Sequence, residues 1–266
     1  MTFDQTKTAR RWDDHWSKHD TTSLPKSKIK IAEELLEPVL ESMRAGNTVR
    51  LLDAGCGNGV HVEVIERFLE SEAVDPNLFS GTAVDLSSQA VSATQRRVRS
   101  DRWTIIKGDA IRLDFDADAF DTVLSVGIIC LCDEPQTAIL ELVRVTRPGG
   151  YIAIYSNTET SPITRIGLWL ARLIGNTMGS HARKAIALIS APIIGLLSPG
   201  SSVSIKDDGF SSCHEIAEAN LVSPITRFLD AADIRKWIET SGAVIDSENK
   251  ERPFTAWCRA LEESQA

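Results

Sequence analysis

Short apolar runs recur along the chain with amphipathic stretches between them, the pattern of strands buried on both faces and separated by helices. The first run is Val49-Arg50-Leu51-Leu52-Asp53-Ala54, and others cover 81–87, 103–110, 119–129 and 151–155. Ahead of it, Ile29, Ile31, Leu35, Leu36, Val39 and Leu40 mark one face of a helix over 28–43. Pro38 is expected to kink that helix or end it early, and Gly46-Asn47 to close it. Helices are also predicted after the first glycine turn, over 88–99 with Ser87 or Ser88 as N-cap, and over 136–146. The last of these stops at a breaker cluster, Arg147-Pro148-Gly149-Gly150. Near the C-terminus a helix over 229–241 ends at Ser241-Gly242, and 243–248 and 254–261 read as two strands joined by a turn. At the other end, Trp12 and Trp16 stand four apart, on one face of an N-terminal helix.

Strand–helix alternation over 49–156 predicts an α/β fold, a doubly wound parallel sheet with its ligand site at the C-terminal ends of the strands. After the fifth strand, about seventy residues precede the next helix, more than a connection needs. Ile163, Ile166, Leu170, Leu173 and Ile174 mark a helical face there, with Trp169 beside it, and a second apolar segment covers 185–197. Neither reaches the roughly 20 residues of a transmembrane helix. Arg165 and Arg172 interrupt the first segment and Pro192 the second. An apolar helical pair packed on the domain, a substrate lid, and a contact face for a partner or membrane all fit this insertion; a lid is the favoured expectation.

The 266 residues are accordingly divided into N-terminal cap helices (1–45), a core (46–157), the helical insertion (158–225) and a C-terminal helix with strands (226–266), within one domain. A net charge of −8 argues against a standing attraction to nucleic acid or an anionic membrane. The first residues lack the apolar core of a signal peptide, and the five cysteines show no disulfide spacing, so a cytoplasmic protein with reduced thiols is expected. Cys130 and Cys132 are read as neighbours on one face of a strand end. With no second cysteine pair or histidine cluster near them, no metal is expected.

Chemistry concentrates at Asp53-Ala54-Gly55-Cys56-Gly57-Asn58-Gly59. Glycines there let a ligand lie directly against the backbone ahead of a helix N-terminus. A dinucleotide pyrophosphate wants G-x-G-x-x-G, whereas this spacing is G-x-G-x-G and Asp53 ends the strand, where it would repel a phosphate. A ligand with a cationic amino group suits both features. Asp85 ends the second strand 26 residues after Gly59, where a carboxylate can accept both hydroxyls of a ribose.

This constellation resembles motif I and the following strand ends of the class I S-adenosylmethionine-dependent methyltransferases. The likeness extends to Gly108-Asp109-Ala110, to Phe120-Asp121 opening the fourth strand, and to the Arg147–Gly150 boundary, covering about 45–156 and 225–262. It implies a Rossmann-like, mostly parallel seven-stranded sheet with one antiparallel strand. It also implies S-adenosyl-L-methionine as cofactor, held by Asp53, Gly55, Cys56, Gly57, Gly59, Asp85, Leu86, Asp109, Ala110 and Val126, with Asp109 at the adenine amine. Many relatives carry a histidine just after the fourth strand, where this chain has Cys130 and Leu131.

A sulfonium methyl needs only an aligned nucleophile and exclusion of water, plus a base where the nucleophile must lose a proton. His15, His214 and Tyr155 are the candidate bases; His61, beside the cofactor turn, is a weaker one. Trp12, Trp16, Cys130, Leu131, Trp169 and Glu215 are the candidate substrate residues, outside or at the rim of the family pattern. The expected substrate is a small, partly apolar molecule methylated on O, N or C, with a second copy of the chain left open as a partner. An NAD-dependent oxidoreductase, and a non-catalytic protein that binds a partner or membrane through the insertion, are the competing readings.

Overall fold

The computed structural model describes residues 5–18, 26–72, 75–156, 227, 229–249 and 254–262. Two helices lead, α1 (Gln5–Lys18) and α2 (Lys26–Arg44). Strands and helices then alternate: β1 (Val49–Ala54), α3 (Val60–Ser71), β2 (Phe79–Asp85), α4 (Ser88–Arg97), β3 (Trp103–Lys107), β4 (Phe120–Val126), α5 (Pro135–Val145) and β5 (Thr146–Tyr155). The C-terminal part supplies α6 (Ala231–Thr240), β6 (Ala243–Asn249) and β7 (Thr255–Ala260).

These strands form one seven-stranded sheet in the order β3-β2-β1-β4-β5-β7-β6. The first five pair in parallel, and β7 runs antiparallel to both β5 and β6. Strand order reverses between β1 and β4, the crevice where open α/β sheets bind ligands. Alternation along β1 explains why the sheet is covered twice. Val49 and Leu51 pack toward α2 and α3, whereas Leu52 and Ala54 belong to the core with α5 and α6.

Three expectations change. Pro38 neither ends nor divides α2, which continues through it to Arg44. An interior proline costs roughly 3 kcal/mol. Leu35, Leu36, Val39, Leu40 and Met43 are all at most 2% exposed. Each such burial is worth roughly 1.5–3 kcal/mol, so packing holds the helix together across the missing N–H.

The breaker cluster at 147–150, expected between helix and strand, lies inside β5. Thr146 pairs with Phe120, pairing resumes at Tyr151 with Thr122, and the register shifts between them. Thr146 Oγ1 donates to Leu142 O at 2.6 Å and the Asp121 carboxylate takes Arg147 Nε at 2.7 Å, stitching the helix end straight onto the sheet.

Cys130 and Cys132 do not sit on a strand end. β4 stops at Val126, Gly127 takes φ +83°, and Ile129–Leu131 forms a 3₁₀ turn. That turn buries Cys130 completely and points its thiol at Gly127 O.

Candidate cofactor and active site

The turn after β1 is fixed from two sides. Gly55 N and Cys56 N both donate to Val84 O, at 2.8 and 3.0 Å, which ties the turn to the end of β2. Thr94 on α4 donates to Gly57 O at 2.9 Å. Gly55, Gly57 and Gly59 all have positive φ, and Gly59 is the N-cap of α3. A Cβ on Gly59 would lie 2.9 Å from Thr94 Cα, so α4 packs directly against the glycine backbone. Sequence reasoning missed Thr94; a small hydroxyl residue mid-helix carries no signal of the backbone it will face.

Beneath this turn Asp53 is fully buried, and among the described residues neither of its carboxylate oxygens has a hydrogen-bond donor. Burial pushes its pKa up to about 7, with the Asp85 charge adding to the rise. Asp85 lies beside it at the end of β2, accepting from Gly57 N at 2.9 Å and from Ser87 N at 2.8 Å. Its pKa is pushed up to about 6 by burial; those N–H groups hold it down in part, and Asp13 adds a like charge. A carboxylate has about four acceptor positions, so Asp85 retains capacity for a ligand's hydroxyls. An orphaned buried carboxylate and a second one with spare lone pairs fit an ammonium and a ribose diol, the two ends of S-adenosyl-L-methionine.

The Asp53 shift has a measurable consequence. Its folded pKa lies above the ordinary 3.8, so between 3.8 and about 7 the native state holds a proton that the unfolded chain has lost. Stability of the ligand-free protein therefore falls as pH rises through that window. Asp53→Asn should raise the thermal midpoint of ligand-free protein above pH 7 and change it little near pH 4. Equal shifts at both pH values would show that Asp53 is not buried without a partner.

Helix α1 completes the site. Trp16 covers the glycine turn, its ring 3.0 Å from where a Cβ on Gly57 would stand. Asp13 Oδ1 accepts from Ser87 Oγ at 2.7 Å, and Thr8 Oγ1 donates to Asp133 at 2.9 Å. His15 is buried between Trp12 and Trp16, edge to face with both at centroid distances of 5.4 and 5.1 Å. Asp133 also has Arg227 at 3.7 Å, and Arg227 N donates to Cys130 O at 2.8 Å, so the chain returning from the insertion docks on the β4 exit.

Other candidates are placed as follows. Leu86 is half-buried after Asp85, and Val126 is half-buried and pairs with the buried Tyr155 at the ends of β4 and β5. Asp109 bends back on its own turn, accepting Ile111 N at 3.1 Å, with Ala110 half-buried beside it. Burial raises its pKa, the Ile111 N–H opposes this, and the charges of Asp133 and Glu134 add to the rise. Cys130 lies inside the core, while Leu131 is half-buried next to it. His61 is half-buried in the first turn of α3. Trp169, His214 and Glu215 lie outside the described residues, as does the insertion. Among the described residues no group of three His, Cys, Asp or Glu side chains could hold a metal ion, and no helix is long and apolar enough to cross a membrane.

A methyltransferase-domain family model matches residues 52–154, from the glycine turn through β5. The phthiotriol/phenolphthiotriol dimycocerosates methyltransferase 1 of Mycobacterium ulcerans is 26% identical over 187 residues, 70% of this chain and 64% of that one. The corresponding Mycobacterium tuberculosis enzyme is 28% identical over 52% of this chain and 47% of its own length. The chain thus spans about half to two thirds of these curated relatives. Phosphatidylethanolamine N-methyltransferase of Cereibacter sphaeroides is 28% identical over 53% of this chain and 68% of that one. Among solved structures, a SAM-dependent methyltransferase from Aquifex aeolicus aligns over 98% of this chain and 100% of its own, with TM-score 0.52 and 14% identity, a likeness of fold. Sequence match, sheet order and the unpaired acid under the glycine turn agree: over residues 52–154 the chain carries a methyltransferase domain of the class I S-adenosylmethionine-dependent type, the cofactor of such a domain being S-adenosyl-L-methionine.

Proposed function

We propose that this protein transfers a methyl group from S-adenosyl-L-methionine to an O, N or C nucleophile of a small, partly apolar, lipid-like molecule by in-line displacement. The observation that carries the cofactor half is the buried, donor-free carboxylate of Asp53 beneath a glycine backbone. Support for the acceptor half comes from relatives named for a dimycocerosate lipid and for phosphatidylethanolamine.

When bound, the cofactor supplies a methyl that is already electrophilic, so the chain's own task is to align the acceptor and exclude water. Asp53 and Asp85 would orient the amino-acid and ribose ends, and Trp16 would close the turn from above. An amine arriving neutral needs no base. For a hydroxyl, Tyr155, His15 or His214 would serve. Cys132 is an unsuitable base, because burial and the charge of Asp109 raise its thiol pKa strongly. The insertion at 158–225 is the proposed lid, and the cytoplasm the proposed place of action.

Calorimetry with S-adenosylhomocysteine and with NADH tests the cofactor, and a panel of hydroxylated and amine lipids tests the reaction. Binding of NADH without S-adenosylhomocysteine would sink the proposal. Cofactor binding with no turnover over a broad panel would favour a non-catalytic role. Replacing part of 158–225 by a short linker should leave S-adenosylhomocysteine affinity intact and abolish transfer; retained transfer would remove the lid.

A further inference from the structure

Helix α1 touches the exits of three strands: Thr8 at the β4 exit, Asp13 at the β2 exit, and Trp16 on the β1 turn. Strands β2, β1 and β4 are adjacent in the sheet, so the helix lies across the switch point rather than beside it. Its bond at Asp13 is not an isolated surface contact. The partner, Ser87, caps α4 with the same hydroxyl, accepting Gln89 N and Ala90 N at 3.2 Å, and gives its own backbone N–H to Asp85. Asp13 also accepts Gln89 N at 3.3 Å, placing a carboxylate at the N-terminal end of α4, where the helix dipole favours it. A continuous path of hydrogen bonds therefore runs from α1 through Ser87 to Asp85 and on to Gly57 N.

We propose that Asp13 is a positioning residue that latches α1 over the bound cofactor through Ser87, and that opening this latch sets the rate at which the nucleoside leaves. The proposal rests on the cofactor reading above. A ligand lying against the glycine turn beside Trp16 has α1 on its exit side, and the helix cannot lift while Asp13 stays on the N-terminus of α4. Thr8 and Asp133 tether the helix at its other end, away from the Asp85 carboxylate, so they restrain cofactor release less than Asp13 does.

Stopped-flow release of S-adenosylhomocysteine, followed by tryptophan fluorescence, tests this on the full chain. One charge-assisted hydrogen bond lost should speed release by about tenfold or more in Asp13→Ala. Asp13→Asn keeps an oxygen acceptor but loses the charge, and should release at a rate between those of the wild type and Asp13→Ala. Ser87→Ala should also speed release, and the Asp13→Ala/Ser87→Ala pair should be no faster than the quicker single variant, because both remove the same bond. Release from Asp13→Ala at the wild-type rate, even with a lowered melting temperature, would overturn the latch and leave a structural contact only. If the wild type binds no S-adenosylhomocysteine, the cofactor reading fails instead. Trypsin then still judges the latch on ligand-free protein: cleavage after Arg10 and Arg11, both exposed on α1, should accelerate more in Asp13→Ala than in Asp13→Asn. Equal cleavage of the wild type and both variants would overturn it.

Discussion

Asp85→Ala should weaken S-adenosylhomocysteine binding by at least ~100-fold, the expected cost of two charge-assisted hydrogen bonds at about 1.5–3 kcal/mol each. The loss has a second source. Gly57 N and Ser87 N give their hydrogens to this carboxylate, so the alanine leaves the glycine turn and the start of α4 without their shared acceptor. Asp85→Asn separates the two contributions, since an amide oxygen can still accept one N–H while the charge is gone. Titration calorimetry at constant pH reads both variants. Wild-type affinity in Asp85→Ala would mean that this acid does not meet the ribose, and the site would have to be rebuilt around another strand end.

Gly55→Ala should destabilise the folded protein by about 2–4 kcal/mol, through strain at positive φ and overpacking together. Gly55 has φ +88°, and a Cβ there would lie 2.1 Å from Ile128 Cγ2 and 3.0 Å from Ile128 Cβ. A new rotamer could move the methyl but not the Cβ, so the β4 exit itself would have to shift. Gly57→Ala differs in kind: its Cβ would meet the Trp16 ring at 3.0 Å, on a helix that can move away. The first variant should lower the denaturant midpoint; the second should chiefly expose α1 to protease. An unchanged midpoint for Gly55→Ala would show that Ile128 is not packed on the turn.

Much of the fold was legible because its signals are local. Two-sided burial makes β1, β2, β4 and β5 read as apolar runs, and the predicted Ser87 cap is present, accepting Gln89 N and Ala90 N. What escaped was decided by tertiary packing. Pro38 is a helix breaker on any local scale, yet the face it interrupts is buried against the sheet, and that burial outweighs one lost bond. The 147–150 cluster has turn chemistry, but Asp121 takes both Arg50 Nε, at 3.0 Å, and Arg147 Nε, at 2.7 Å, and so draws those residues into β5.

The candidate site divides in the same way. Spacing alone placed Asp53, Gly55, Gly57, Gly59 and Asp85 together, because a strand–turn–helix unit and one further crossover bring their ends to the same edge of a parallel sheet. The amino-acid sequence by itself thus determined the sheet, the glycine turn and the two acids that stand beside that turn. Only the tertiary structure decided that Asp53 is donor-free, that Thr94 locks the turn, and that α1 is fastened across it by Asp13 and Thr8. The reason is physical: periodicity reports which face of an element is buried, whereas a hydrogen bond between residues 74 positions apart depends on where two separately formed helices come to rest.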